Sequence, residues 1–169
     1  MGGITFITGG QRSGKSSFAQ KLAQEKSNRP IYLATARIWD EDFKKRIDRH
    51  KSDRGDNWVT IEENKYISKQ CINNKTVLLD CVTLWLNNFF FDNNYDVEKA
   101  LEEAKAEWDA FITKDIELIV VSNELGMGVH AENDVSRKFA DLQGWMNQYI
   151  ASKADRVFLM VSGIPLEIK

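Results

Sequence analysis

Hydrophobic positions along this chain fall into short continuous runs, separated by longer segments with helical periodicity. Five runs are predicted to be strands buried on both faces, because their apolar residues are consecutive rather than alternating. They cover residues 4–8, 31–35, 76–80, 116–122 and 156–162, and a short strand over 166–168 is expected after Pro165. Apolar residues spaced three or four apart predict helices over 16–26, 40–52, 97–112 and 135–154. This alternation predicts an α/β fold, a doubly wound and mostly parallel sheet with helices on both faces.

Composition and charge narrow the class of protein. No repeat, low-complexity tract or linker divides the 169 residues, so we expect one domain over residues 1–169. A net charge of -2 favours neither nucleic acid nor acidic membranes as a partner. No apolar run approaches the ~20 residues of a membrane span, and the first residues lack a signal-peptide pattern. Cys71 and Cys81 have no C-x-x-C spacing and are expected to be buried and reduced. We therefore expect a cytoplasmic protein.

The stretch GGQRSGKSS lies directly between the first predicted strand and the first predicted helix. It meets the pattern G-x-x-x-x-G-K-S of a phosphate-binding loop. Glycines allow the backbone to curl so that successive N–H groups face an anion, and the following helix directs its positive end there. Lys15 is the predicted catalytic cation at the outer phosphates, and Ser16 is the predicted ligand of Mg²⁺. We predict nucleotide contacts along the whole loop, at Gly9, Gly10, Gln11, Arg12, Ser13, Gly14, Lys15, Ser16 and Ser17.

Acidic residues end two of the later predicted strands. Asp80 follows Thr-Val-Leu-Leu, and Glu124 follows the next strand and Asn123. Because the carboxyl ends of parallel strands share one edge of the sheet, Asp80 is expected near the bound phosphates. The pattern leaves open whether Asp80 serves the metal ion through water, serves the nucleotide sugar, or only caps a helix.

The chain has two histidines, and His50 lies in the strongly basic segment FKKRIDRHKSDR. On a helix Arg46 and Arg54 share the face of His50, since each is four residues away. A neutral imidazole held among cations that bind a polyphosphate could attack phosphorus. Runs of charge are more often solvated faces, however, so the residues alone favour an ordinary basic helix.

Several segments together resemble the family of bifunctional adenosylcobinamide kinases/adenosylcobinamide-phosphate guanylyltransferases of cobalamin biosynthesis. The segments are ITGGQRSGKS, YLATA, RIDRHKSDRGDNW, VLLDCVT, SNELGMG and VSGIPLEIK. The resemblance implies a P-loop NTPase of the RecA-like type. It implies phosphate transfer from a nucleoside triphosphate to the aminopropanol hydroxyl of adenosylcobinamide, followed by transfer of GMP from GTP with release of pyrophosphate. The implied substrates are GTP, ATP and the corrinoid, and the implied cofactor is Mg²⁺.

The resemblance also assigns roles to individual residues. It implies that His50 carries GMP covalently, which reverses the interpretation favoured by the residues alone. It implies nucleotide contacts at Thr35, Lys51, Arg54, Glu62 and Asp80, and a homotrimer with the nucleotide site near a subunit contact. Two positions depart from the family pattern: Asp80 stands where glutamate is usual, and His130-Ala131 replaces an apolar residue and proline. His130 either lines the corrinoid site or is a surface histidine.

Other nucleotide-dependent functions fit parts of the same pattern. A small-metabolite kinase would use the loop and Asp80 but give His50 no covalent role. A GTP switch would need N-K-x-D, and the nearest string, Asn-Lys-Tyr-Ile at residues 64–67, lacks the aspartate. A RecA-like motor or DNA-binding ATPase is disfavoured by the net charge and by the lack of a second domain.

Overall fold

The computed structural model describes residues 2–38 and 55–169, so the predicted helix over 40–52 lies outside the described residues. Elements occur in this order: β1 (Ile4–Gly9), α1 (Lys15–Lys26), β2 (Ile31–Ala34), β3 (Val59–Glu62), a 3-10 turn (Ile67–Lys69), β4 (Lys75–Asp80), α2 (Val82–Asp92), α3 (Val97–Phe111), β5 (Ile116–Asn123), α4 (Asp134–Lys153), β6 (Arg156–Val161) and β7 (Ile164–Glu167). No helix in this part of the chain is both long and apolar enough to cross a membrane.

The seven strands within the described ranges form one sheet with the order β3-β2-β4-β5-β1-β6-β7. Every neighbouring pair is parallel except β6 and β7, which are antiparallel. The prediction of a mostly parallel α/β sheet is therefore confirmed. β1 lies between β5 and β6, and Gly9 at its end is in register with Asn123 and Met160. The carboxyl ends of the parallel strands meet at one edge, where sheets of this kind bind ligands.

Buried side chains form two clusters, one on each face of the sheet, because successive strand residues point to opposite sides. Ile7, Leu78 and Ile119 pack with Ala19 and Ala23 of α1. The second and larger cluster joins the adjacent strand residues to α2, α3 and α4, through residues that include Phe6, Val77, Leu118, Trp85, Trp108 and Met146. The predicted placement of helices on both faces is thus confirmed, and the sheet is rigidly held behind its carboxyl edge.

Helix α2 was not predicted, and the reason is its composition. The segment VTLWLNNFFFD has six buried residues and no polar stripe that would mark a helical period.

Strand β7 begins earlier than predicted, because Ser162 and Gly163 adopt φ of +50° and +82° and form a two-residue hairpin turn. Pro165 is tolerated in this strand because β7 is at the edge of the sheet.

The two cysteines differ in environment. Cys81 is buried as predicted, and burial raises the pKa of its thiol to about 12, which keeps it protonated. Cys71 is exposed, so the prediction that it is buried was wrong. It lies between the 3-10 turn and β4, and the neighbouring Ile72 rather than Cys71 enters the core.

Candidate nucleotide-binding site

The loop between β1 and α1 is shaped by close backbone approaches that only glycine permits. A Cβ on Gly9 would lie 2.7 Å from the carbonyl oxygen of Met160 and 2.9 Å from Ser13 Oγ. Gly14 has a φ of +91°, and a Cβ there would lie 3.1 Å from Cα of Gly163. Packing therefore requires glycine at position 9, and the left-handed backbone favours it at position 14.

Lys15 is the first residue of α1, and its side chain is held within the loop. Its Nζ donates to the carbonyl oxygen of Gly10 at 2.5 Å and lies 3.4 Å from Ser13 Oγ. The residue is only 7% exposed, and this burial lowers the pKa of the ammonium, while Cys81 and then Asp80 raise it. A buried cation with acceptors from the loop itself is well placed to meet the oxygens of a phosphate there.

Two neighbouring turns brace the loop from either side. The backbone N–H of Gly163, in the turn between β6 and β7, donates to the carbonyl oxygen of Ser13 at 2.9 Å. The N–H of Glu124, just after β5, donates to the carbonyl oxygen of Gly9 at 2.9 Å. Arg12 has a φ of +54° and is exposed, as are the other outward-facing loop residues Gly10, Gln11 and Ser17. The loop thus has a braced inner side and a solvent-facing outer side.

Asp80 ends β4 at the same edge, close enough to Lys15 to affect its pKa. The hydroxyl of Tyr32 donates to Asp80 Oδ2 at 3.1 Å and fixes the direction of the carboxylate. Ala34 is in register with both Asp80 and Glu62, so the three residues form a row across β4, β2 and β3. At the usual strand spacing, the Cα atoms of Glu62 and Asp80 are about 10 Å apart. Glu62 is exposed and lies on the same carboxyl edge of the sheet, two strands from Asp80.

The residues present fit Mg²⁺ of the phosphate-loop type. Ser16, in the first turn of α1, is partly buried beside Lys15. Within residues 2–38 and 55–169 no group of three or more histidine, cysteine, aspartate or glutamate side chains could hold a metal ion. Mg²⁺ commonly takes one or two protein oxygens and completes its shell with water and substrate phosphates. Among the described residues, Ser16 and Asp80 are the predicted ligands for that arrangement.

Thr35 follows β2 and is fully buried, with its hydroxyl bonded to the backbone rather than facing the loop. Its Oγ1 donates to the carbonyl oxygen of Cys81 at 2.7 Å and accepts from the Cys81 N–H at 3.1 Å. The Nδ2 of Asn88 donates to the carbonyl oxygen of Thr35 at 2.9 Å. These bonds join the end of β2 to the start of α2, directly behind Asp80. A nucleotide contact at Thr35 stays a prediction.

Replacing Thr35 by valine should lower the free energy of unfolding by ~1–3 kcal/mol, because the backbone groups of Cys81 lose a buried partner. Thr35→Ser keeps the hydroxyl, so its free energy of unfolding should be much closer to that of the parent protein. Urea denaturation of both variants measures the effect. Unchanged stability together with weakened nucleotide binding would instead show that the hydroxyl serves the nucleotide.

Three groups outside the predicted site residues support the site. Tyr32 orients Asp80, Thr83 Oγ1 accepts from the Asn123 N–H at 3.0 Å, and Gly163 braces the loop. Only Gly163 carried a signal, as part of a Ser-Gly turn dipeptide. The carboxylate of Glu124 accepts from the N–H groups of Gly126 and Met127, at 2.9 and 2.8 Å, and so shapes its own loop.

Three of the predicted residues, His50, Lys51 and Arg54, lie outside the described ranges. Their roles stay predictions. Within the described ranges, the structure places the loop, Lys15, Ser16 and Asp80 together, with Glu62 further along the same edge.

The braced glycine loop, its buried lysine and the parallel sheet define a P-loop NTPase. A family model described as "Cobinamide kinase / cobinamide phosphate guanyltransferase" matches residues 5–168. The chain is 36% identical to the bifunctional adenosylcobalamin biosynthesis protein CobU of Escherichia coli (strain K12), over 98% of this chain and 99% of that protein. It is 35% identical to the bifunctional adenosylcobalamin biosynthesis protein CobP of Pseudomonas aeruginosa, over 96% of this chain and 95% of that protein.

A solved structure, the flagellar accessory protein FlaH from Methanocaldococcus jannaschii, matches with a TM-score of 0.50 and 13% identity, over 99% of this chain and 78% of that chain. At that identity the likeness concerns the fold alone. The chain belongs to the cobinamide kinase / cobinamide phosphate guanyltransferase family, and the resemblance expected from its motifs is confirmed. It is accordingly an enzyme of that family.

Proposed function

We propose that this chain phosphorylates adenosylcobinamide and then converts the product to adenosylcobinamide-GDP. The observation that carries the proposal is the family match over residues 5–168, in a chain whose phosphate loop is intact and braced. GTP, or ATP for the first step, supplies the phosphate, and GTP supplies GMP. The corrinoid is the acceptor in both steps.

In the first step, the aminopropanol hydroxyl of adenosylcobinamide attacks the γ-phosphorus of the triphosphate. The bond from the γ-phosphorus to the β–γ bridging oxygen breaks, the nucleoside diphosphate leaves, and the hydroxyl proton passes to solvent. Lys15 and the loop N–H groups hold the phosphate oxygens while charge moves onto the leaving diphosphate. Positioning and charge neutralisation supply most of the acceleration in reactions of this kind.

In the second step, an imidazole nitrogen of His50 attacks the α-phosphorus of GTP, and pyrophosphate leaves. A phosphate oxygen of adenosylcobinamide phosphate then attacks the same phosphorus, the phosphorus–nitrogen bond breaks, and His50 is regenerated. A covalent intermediate divides one difficult displacement into two easier ones. Lys51 and Arg54, close to His50 in the sequence, are proposed to hold the phosphates of this second reaction.

When bound, Mg²⁺ would neutralise part of the charge on the phosphate oxygens. Ser16 would hold it directly, and Asp80 would hold it through water or bind the nucleotide sugar instead. Tyr32 keeps the Asp80 carboxylate directed along the edge for either role. A homotrimer with the nucleotide site near a subunit contact is part of the same proposal, and sedimentation analysis tests it.

Turnover of adenosylcobinamide with GTP and Mg²⁺, with separation of the phosphate and GDP products, tests the proposed function. Accumulation of both products in sequence is the expected result. Formation of the phosphate alone would identify a corrinoid kinase without guanylyl transfer. Absence of both products, while other small alcohols are phosphorylated, would point to a different small-metabolite kinase.

Glu62 is proposed to bind the guanosine of GTP, since a carboxylate can accept from ribose hydroxyls or from the guanine edge. Its exposed position at the end of β3, on the carboxyl edge of the sheet, supports this role. Glu62→Ala should raise the KM for GTP about tenfold, on the scale of a hydrogen bond to a charged group. Thr60→Ala is the matched control, because Thr60 is exposed on the same face of β3. Equal KM values in the two variants would remove Glu62 from the site.

A further inference from the structure

A large cavity opens beside the carboxyl edge of the sheet, between the loop that follows β5, the first half of α4 and the end of α2. Its volume is about 650 Å³, within the range of small-molecule sites. The wall formed by the loop includes Leu125 and Val129, and the wall formed by α4 includes Val135 and Ser136. Part of the sequence motif SNELGMG therefore lines a cavity.

The loop that lines the cavity is hydrogen-bonded through its backbone to the phosphate loop. The N–H of Glu124 donates to the carbonyl oxygen of Gly9 at 2.9 Å, and Leu125, the next residue, already lines the cavity. The Glu124 carboxylate then turns the chain by accepting from Gly126 and Met127. The loop that lines the cavity is therefore anchored to the phosphate loop at Gly9. An acceptor hydroxyl must come within ~3–3.5 Å of phosphorus to react, so a molecule in the cavity would reach the phosphates with an arm that extends along this loop.

The lining combines an aromatic base with a polar rim. The ring of Phe90 packs against Phe139 and Tyr95, with centroid distances of 5.6 and 5.3 Å. Tyr95 has a φ of +64°, unusual for a bulky residue, and the residue is 43% exposed. At the rim, the Arg137 guanidinium donates to the carbonyl oxygens of Ala131 and Glu132 at 3.1 and 2.7 Å. The loop side adds an unusually exposed apolar residue, Val129, at 96%.

This combination suits one substrate of the proposed reaction and not the other. A nucleotide needs backbone N–H groups and cations for its phosphates, which the phosphate loop already provides. A corrinoid presents a broad apolar macrocycle with amide side chains around its edge. Apolar walls can cover the macrocycle, and polar rim groups can bond to the amides. The volume accommodates part of such a molecule, with the rest extending over the exposed apolar loop.

We propose that this cavity binds the corrinoid acceptor, with its aminopropanol arm directed past Leu125 towards the phosphate loop. The inference rests on the proposed function for the identity of the ligand. It assigns recognition of the corrinoid to α2, α4 and the loop between β5 and α4, and recognition of the nucleotide to the rest of the carboxyl edge.

Direct binding of dicyanocobinamide, measured by equilibrium dialysis without nucleotide, tests the proposal. Ser136→Trp places a large ring in the cavity from the exposed first turn of α4, and should weaken binding at least about tenfold. Lys138→Trp is the matched control, since Lys138 is exposed on the same helix and does not line the cavity. It should bind cobinamide like the parent protein. Val129→Asp, at a site too exposed to affect folding, should also weaken binding.

The outcomes separate this inference from the proposed function. Weaker binding of dicyanocobinamide by Ser136→Trp and Val129→Asp, with unchanged binding of a fluorescent GTP analogue, supports the cavity as the corrinoid site. Equal cobinamide affinity in all variants overturns it, as does an absence of cobinamide binding in the parent protein. A change in sedimentation without a change in affinity also overturns it and makes the face a subunit contact. If the parent protein binds cobinamide and the cavity variants bind it more weakly, but the parent protein forms neither product, the proposed function alone is overturned.

Discussion

Replacing His50 by alanine is expected to abolish GMP transfer while leaving substantial phosphorylation of adenosylcobinamide. Phosphoryl transfer to the corrinoid hydroxyl needs the loop, Mg²⁺ and an acceptor in line with the γ-phosphorus. Guanylyl transfer through a phosphoramidate needs the imidazole itself. The parent protein should therefore become labelled by α-labelled GTP even without corrinoid, and the bond should be acid-labile and base-stable. Product analysis and protein labelling, carried out on the same preparations, measure the two steps separately.

His130→Ala is the matched control for this experiment, because the chain has two histidines and His130 is exposed. Without corrinoid, its labelling by α-labelled GTP should equal that of the parent protein. Continued labelling of His50→Ala would place the nucleophile elsewhere, and loss of labelling in His130→Ala would identify it. Loss of both kinase and transferase activity in His50→Ala would show that the basic segment serves phosphate binding in general rather than covalent transfer.

Replacing Lys15 by alanine should impair both reactions by ~3 kcal/mol of transition-state stabilisation, which is about a hundredfold in kcat/KM. The side chain is buried within the loop and bonded to Gly10, so its removal takes a positive charge from the inner side of the loop. Lys21→Ala, on an exposed turn of the same helix, is the matched control and should retain activity. Near-normal phosphorylation by Lys15→Ala would mean that this loop is not the phosphate site.

The buried position of Lys15 also has a consequence for stability. Burial lowers the pKa of its ammonium in the folded protein below the ordinary value of the unfolded chain. The unfolded chain therefore binds more protons between those two values, and the contribution of Lys15 to the free energy of unfolding rises with pH across that interval. Lys15→Ala should remove this part of the pH dependence, which denaturant titrations at several alkaline pH values would detect.

The elements with a clear period were predictable from the sequence, and those shaped by tertiary contacts were not. Helix α1 begins one residue before its predicted start, at Lys15, and ends at Lys26 as predicted. β3 is a half-exposed edge strand of four residues, and its alternation predicted only a strand-like or extended segment. Helix α2 is buried around much of its circumference, so burial removed the polar positions that periodicity analysis depends on.

The site divides in the same way. The phosphate motif is local in sequence, and its required strand and helix flank it, so Gly14, Lys15 and Ser16 could be placed in advance. The partner of Thr35 is Cys81, 46 residues further along the chain, and no local pattern announces such a bond. The support of Asp80 by Tyr32 depends on which strands become neighbours. The chemistry of the motif was therefore predictable from the sequence, but the contacts between distant parts of the chain were not.

The bond between Gly163 and Ser13 has a consequence for how the protein is made. The ribosome releases β1 and the phosphate loop early, yet both strands that flank β1 are synthesised more than a hundred residues later. The nascent loop therefore lacks β5, β6 and the hairpin turn that holds Ser13. Parallel pairing over such separations forms slowly, because the intervening chain must first be ordered. Nucleotide binding is therefore expected to stabilise only chains long enough to include β5, β6 and the hairpin turn that holds Ser13.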